Sequence, residues 1–220
     1  ESIINLKKKI NCNDIVFGPK ESIAVISKEA LSSEDQSIKV SEGLANDIVI
    51  FNQYGCNSPH NVYIEKNSLF EIDKFINDLE KSLQKLTRNS PNILTNWSDA
   101  YNVLNQRFLY QIDDDKDIRC SDDLKWTILI NKKEAKPQSP VYGRSIHIQS
   151  INNIFDVKKF LPPNIQTIGV SIPEDKLDKF IFEMAHLGGL RFPKIGHMSL
   201  YENPWDGLFP LNEMIKWIGL

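Results

Sequence analysis

Cysteine, long apolar runs and a basic excess are all scarce in this sequence, and each shortage excludes a class of protein. Three cysteines occur in 220 residues, Cys12, Cys56 and Cys120, an odd number set far apart. A disulfide-stapled miniprotein is excluded; free thiols in a reducing compartment are expected, with the cytoplasm as the default location. Cys12 and Cys120 sit among polar residues without ligand spacing, so no metal site is expected. No apolar run reaches the roughly 18 residues of a membrane helix, and the opening ESIINLKKKI lacks the apolar centre of a signal peptide. With 26 Lys and Arg against 29 Asp and Glu, the net charge is -3. A nucleic-acid partner, which calls for a basic excess, is not expected. The one basic run, Lys7-Lys8-Lys9, reads as a solvated helix face. Asp113-Asp114-Asp115 with Asp117 lacks the glycine and closing glutamate of a calcium loop and reads as a polar turn.

What remains is a chain built to fold. It is 41% apolar and 25% charged, and a chain of this length buries roughly 70% of its extended surface. Short Val- and Ile-rich runs predict strands over Asp14–Phe17, Ile23–Ser27, Asn61–Glu65, Trp126–Asn131, Ser145–Gln149 and Gln166–Ser171. The continuous runs Ile15-Val16-Phe17 and Ile23-Ala24-Val25-Ile26 suit strands covered on both faces. Helices are predicted over Ile38–Phe51, Leu69–Leu86, Asp99–Tyr110, Glu174–Leu187 and Leu211–Ile218. The second is the clearest: Leu69, Ile72, Ile76, Leu79, Leu83 and Leu86 form one stripe, a core face, and Ser68 with Glu71 makes a capping box. Ser98 is the expected N-cap of the third. Pro173 and Gly188-Gly189 bracket the fourth. Strands alternating with helices predict an α/β domain with a mainly parallel sheet. Lys132–Arg144 reads as a long surface loop. Leu190–Pro210 reads as irregular chain that leads to the last helix.

One stretch carries chemistry. Phe51-Asn52-Gln53-Tyr54-Gly55-Cys56-Asn57-Ser58-Pro59-His60 lies between an apolar helical run and a strand. Gly55 lets backbone approach Cys56 closely, and Pro59 stops any helix. Free N–H groups in such a turn suit an oxyanion site and favour thiolate. Cys56 is either a covalent nucleophile or an inert turn cysteine. His60, four residues on, is either the base of a Cys–His pair or a turn residue lining a pocket, and geometry decides. His147 in a strand and His186 near a helix end read as structural, and His197 is uninformative. No glycine-rich phosphate loop is present; Gly188-Gly189 is better read as a helix C-cap.

The same run, with Val62-Tyr63-Ile64-Glu65 after it, resembles the nucleophile segment of the LuxC family, the fatty acyl-CoA reductases of bacterial luminescence operons and their relatives. Phe17-Gly18-Pro19-Lys20-Glu21-Ser22-Ile23-Ala24-Val25-Ile26 resembles the family's segment upstream of the cysteine, and Trp205-Asp206-Gly207 its C-terminal end. That family belongs to the aldehyde dehydrogenase superfamily. The resemblance implies an aldehyde dehydrogenase-like catalytic domain with three α/β/α layers. It also implies that Cys56 accepts an acyl group from a thioester, that NADPH hydride reduces the acyl-cysteine to a fatty aldehyde, and that the Cys56 N–H is one oxyanion donor. Gly55, Asn57, Ser58 and His60 complete the implied site turn. Where hydrolytic relatives carry a water-activating glutamate, the matching position here is Val16, which implies an acyl-enzyme protected from water. Asn52 lies one position off the superfamily's asparagine, and no role passes to it. Arg144 in Val-Tyr-Gly-Arg-Ser is either a cofactor contact or a surface-loop arginine.

The resemblance spans the second half of the family protein. Because the chain opens on Glu1 and not Met, it is read as a fragment. Residues 1–190 are expected to be the cysteine-bearing domain, and 191–220 an irregular and then helical segment suited to an interface through Trp205, Phe209 and Trp217. The nucleotide-binding half that would hold most of the NADPH is expected to lie outside the chain, leaving the fragment inactive alone. Implied partners are acyl-CoA or an acyl-transfer protein, an acyl-protein synthetase and further copies of the chain. Two alternatives stand beside the reductase: a non-catalytic assembly or docking domain, and a Cys–His thiol hydrolase.

Overall fold

The computed structural model describes residues 14–15, 17–66, 69–88, 90, 97–215 and 218. Six strands form one sheet: β1 (Glu21–Ile26), β2 (Pro59–Glu65), β3 (Lys116–Cys120), β4 (Thr127–Asn131), β5 (Ser145–Ile151) and β6 (Ile165–Ser171), in the order β3-β4-β5-β2-β1-β6. Every pairing is parallel except β3 with β4. The helices are α1 (Glu34–Val49), α2 (Leu69–Thr87), α3 (Trp97–Gln111), α4 (Glu174–Ala185) and a four-residue α5 (Pro210–Glu213). On one face α1 and α2 pack Leu44, Ile48, Ile72, Phe75, Ile76, Leu79 and Leu83 against Ala24, Ile26, Val62, Ile64, Ile128 and Ile148. The other face is covered by α4 with the turn Ile154–Lys159 at one end, and at the other by α3, through Val103 and Tyr110 against Leu129. The result is the expected three layers. β1 and β2 run through the middle with almost every residue buried, as continuous apolar strands of parallel sheets should.

Several elements differ from expectation for local reasons. Residues 14–15 and 17 are not in a strand, and Phe17 is exposed ahead of the Gly18-Pro19 break; Val16 lies outside the described residues. α1 starts four residues early, at Glu34. Its first turn is polar and so carries no apolar period, but Ser33 caps it by accepting from the Gln36 N–H, and Glu34 and Asp35 suit the helix dipole. α3 begins at Trp97, so Ser98 is inside it. The acidic run is a turn only to Asp115; Asp117 is already in β3. That strand's mixed Lys-Asp-Ile-Arg-Cys sequence is what a charged edge strand looks like. The capping box at Ser68 lies outside the described residues, as does Trp217. α5 ends at Glu213 and not near Ile218. Gly188, at φ +102, ends α4 by donating to the Ala185 carbonyl, while Gly189 donates to Met184, so the C-cap reading holds.

The chain after α4 returns along β6. Ile168 and Val170 donate backbone bonds to Arg191 and Pro193, and Ile195 donates to Val170. This covers the sheet's free edge and brings residues 195–198 against α1. Gly43 and Asp47, one turn apart on α1, take them in. A Cβ at Gly43 would stand 3.0 Å from the Ile195 carbonyl oxygen and 3.2 Å from Gly196 Cα. Gly43→Ala inside a helix ordinarily stabilises by about 1 kcal/mol. Here we expect a net loss of about 1–2 kcal/mol, because the obstructing atoms are backbone. A urea-unfolding midpoint that rises would show instead that the segment moves aside freely.

Candidate active site

Cys56 sits at the amino ends of the parallel strands, in the turn that enters β2, and its side chain is exposed. Open parallel sheets ordinarily present ligands at the opposite end. What makes an amino-end site here is an unusual backbone. After α1, Phe51, Asn52 and Gln53 are three consecutive left-handed residues, at φ 54, 51 and 63, none of them glycine, and each conformation costs free energy unless its surroundings fix it. Gln53 is the fixing group. It is fully buried; Nε2 donates to the Pro59 and Ser145 carbonyls at 2.9 Å each, and Oε1 accepts from the Ser145 N–H at 2.6 Å. One side chain thus ties the first residues of β2 and β5 together.

Beyond it, Ser58 N–H donates to the Gly55 carbonyl and closes the turn. The N–H groups of Cys56 and Asn57 make no hydrogen bond among the described residues. A Cβ at Gly55 would fall 2.6 Å from Asn57 Oδ1, so a larger residue there would have to displace the Asn57 side chain. Asn57 and Ser58 are buried, and Asn57 Nδ2 donates to the Met198 carbonyl at 2.9 Å. The Cys56 carbonyl accepts from Ser22 Oγ at 2.6 Å.

His60 is not a turn residue but the second residue of β2. It is buried, its Nδ1 has no partner, and its ring meets Tyr142 edge-on at 5.0 Å. Burial pushes it down to about 4. No hydrogen bond joins it to the exposed Cys56. His147 is held by Tyr110 Oη at 3.1 Å, and burial lowers it likewise to about 4. Arg144 is not a surface residue. It is 2% exposed, with Nε donating to Asn52 Oδ1 at 2.8 Å and the rest of the fork to Ser90. It therefore braces the left-handed run from behind, from a run of its own, since Tyr142, Gly143 and Arg144 also have positive φ. Tyr54 stacks on Tyr142 at 5.5 Å and bonds Asp99 at the start of α3.

The last wall comes from far along the chain. Asp47 of α1 accepts from Gly196 N–H at 2.6 Å and Met198 N–H at 3.1 Å. A carboxylate near a helix C-terminus opposes the dipole, and burial raises this one to about 6, only partly offset by the two N–H donors. Arg191 is buried beside Met198, under the Trp205 ring at 4.6 Å, so Trp205 is a cover for this cation and not a free anchor. Phe209 is exposed. Asp206 fastens the tail to Gln166 at the start of β6. Gln53, Asp47 and Arg191 are the residues that the sequence alone does not single out. Among the described residues no three His, Cys, Asp or Glu side chains gather as a metal site, and no helix is long and apolar enough to cross a membrane.

This fold is that of the aldehyde dehydrogenases. Lactaldehyde dehydrogenase from Escherichia coli superposes with a TM-score of 0.58 over 84% of this chain and 40% of that one, at 13% identity. A 1-pyrroline-5-carboxylate dehydrogenase from Thermus, solved with bound NAD, gives 0.54 over 80% and 36%, at 11% identity. Within that class the chain belongs to the acyl-CoA reductase (LuxC) family, which it matches over residues 1–217. It is 24% identical over 207 residues to a long-chain acyl-protein thioester reductase of Aliivibrio fischeri, and 24% identical over 208 to one of Photobacterium leiognathi, with 92% of this chain covered in each case. The chain spans about two fifths of the length of these relatives (40% and 41%).

Proposed function

We propose that this chain performs the acyl-transfer half of a long-chain acyl thioester reductase, with Cys56 as the nucleophile. The observation that carries the reading is the exposed thiol of Cys56 on a turn whose N–H groups, at 56 and 57, point to no internal acceptor. The Cys56 thiolate attacks the thioester carbonyl carbon. A carbon–sulfur bond forms, the carbonyl electron pair moves to oxygen, and the free N–H groups stabilise that oxyanion. Collapse restores the carbonyl and breaks the bond to the donor's sulfur, which leaves as a thiolate. The acyl group is then held on Cys56. His60 is buried, low in basicity and turned toward Tyr142, so it is not poised to send water at the acyl-cysteine. That favours a persisting intermediate over the hydrolase reading.

The described β1–α1 connection does not fit the phosphates of a nicotinamide dinucleotide. The β1–α1 connection, residues 27–33, has no glycine and offers no phosphate cradle. The reducing half of the reaction is therefore assigned to a part of the enzyme that this chain does not span. The relatives' names favour a protein-borne acyl donor over free acyl-CoA.

The test is acylation without reductant. With a long-chain acyl thioester, mass spectrometry should find one stable acyl group on Cys56, and Cys56→Ala should lose it entirely. Label retained in that variant would falsify the assignment. Rapid hydrolysis would favour the hydrolase, and no acylation the assembly domain.

A further inference from the structure

Arg191 is a buried cation that makes no ion pair among the described residues. It is 5% exposed. Its donors go to neutral oxygens only: Nη1 to Thr167 Oγ1 at 3.2 Å and to the Met198 carbonyl at 3.3 Å, and Nη2 to the Leu200 carbonyl at 2.6 Å. Nε is buried and has no partner among the described residues. The carboxylates in its field are Glu202 and Asp206; neither makes an ion pair with it, and Asp206 is engaged by Gln166. A buried charge left in this state is costly. The third group in its field is Cys56.

Two chains of hydrogen bonds lead from the guanidinium to the nucleophile turn. In one, Thr167, whose hydroxyl takes Nη1, donates its N–H to Ser22 Oγ at 3.3 Å, and Ser22 donates to the Cys56 carbonyl at 2.6 Å. In the other, the Met198 carbonyl accepts from both Nη1 and Asn57 Nδ2. Residues 56 and 57 are thus grasped on each side by routes that meet at one fork. A lysine offers a point charge and cannot span both acceptors.

We propose that Arg191 is the positioning residue of the nucleophile: its fork fixes the Cys56 turn through Thr167–Ser22 and through Met198–Asn57, and its charge, which no carboxylate pairs directly among the described residues, favours anions at the thiol. Buried as it is, Arg191 acts through the turn and the local field and does not touch the acyl group. The inference deepens the reading of Cys56 as nucleophile and rests on it.

The experiment compares Arg191→Met, Arg191→Lys and the unaltered full-length protein in two measurements. The first is the alkylation of Cys56 by iodoacetate, an anion, and by neutral iodoacetamide, quantified at that residue. The iodoacetate-to-iodoacetamide rate ratio should fall about 10-fold in Arg191→Met and stay near its original value in Arg191→Lys, and 1 M salt should shrink the difference. The second is acyl transfer. Arg191→Lys should slow it about 10-fold at unchanged KM, because charge is kept and the fork is lost. An unchanged ratio in Arg191→Met overturns the field, and full acyl transfer in Arg191→Lys overturns the positioning. If Arg191→Met does not fold, Thr167→Val decides: it should keep the ratio and slow acyl transfer, and unimpaired transfer counts against the proposal. Alkylation needs no acyl donor. A protein that is never acylated but shows the charge effect would defeat the reductase reading and leave the field of Arg191 standing.

Discussion

Gln53→Ala should cost on the order of 4 kcal/mol of stability and at least about tenfold in acyl transfer to Cys56. The side chain is fully buried and makes three hydrogen bonds, two as donor and one as acceptor. Truncation strands the Ser145 N–H and two carbonyls in a space that water cannot fill well, and each such group costs about 1–3 kcal/mol. It also removes what holds the left-handed backbone three residues before Cys56. Gln53→Glu separates the two effects. It keeps the volume but replaces the donating amide by an acceptor-only group facing the Pro59 and Ser145 carbonyls. It should therefore be at least as destabilising as Ala. Urea midpoints with acyl labelling check this, and a Glu variant as stable as the original would refute the bonding pattern.

Acidification is the second large effect. His60 and His147 both have folded values of about 4, against an ordinary 6.5, because burial disfavours their charged forms. The unfolded chain therefore binds more protons between those values. Their stabilising contribution is complete above pH 6.5 and is lost as pH falls to 4, about 3 kcal/mol for each ring. Asp47 works the other way. Its folded value of about 6 lies above the ordinary 3.8, so protonating it relieves a buried charge and returns about 3 kcal/mol over that range. A net loss of about 3–4 kcal/mol is expected between pH 7 and 4, set against a typical total of about 5–15. Denaturant titrations across this range should steepen in Asp47→Asn and flatten in His147→Gln. Identical slopes in all three proteins would sink the account.

How much of this was legible in the sequence depends on how far each contact reaches. Ile23–Ile26 and Val62–Ile64 are continuous apolar runs, and their burial between two helical layers follows from composition alone. Gly55 and Cys56 stand out because a glycine–cysteine turn before a strand is odd in itself. β3 was hidden because an exposed edge strand needs charge where a central strand needs valine. Arg144 was misplaced because arginine is usually exposed, and nothing local shows that Asn52 and Ser90 wait for it. Gln53, Asp47 and Arg191 look like ordinary polar residues until partners up to 151 residues away are in place.

The reach of those contacts has a consequence for how the protein comes into being. Asn57, beside Cys56, is held by the Met198 carbonyl at a separation of 141 residues, and Met198 is placed by Asp47, at 151; the Ser22–Thr167 bond spans 145. Contacts this distant in sequence form late, since long loops must close first. On a ribosome that makes the N-terminal part first, residues 21–65 emerge with the thiol's own turn and with Ser22, but without Thr167, Arg191 and Met198. The surroundings of Cys56 are complete only after residue 198 has left the tunnel. Until then Cys56 is an ordinary thiol on an unfinished chain.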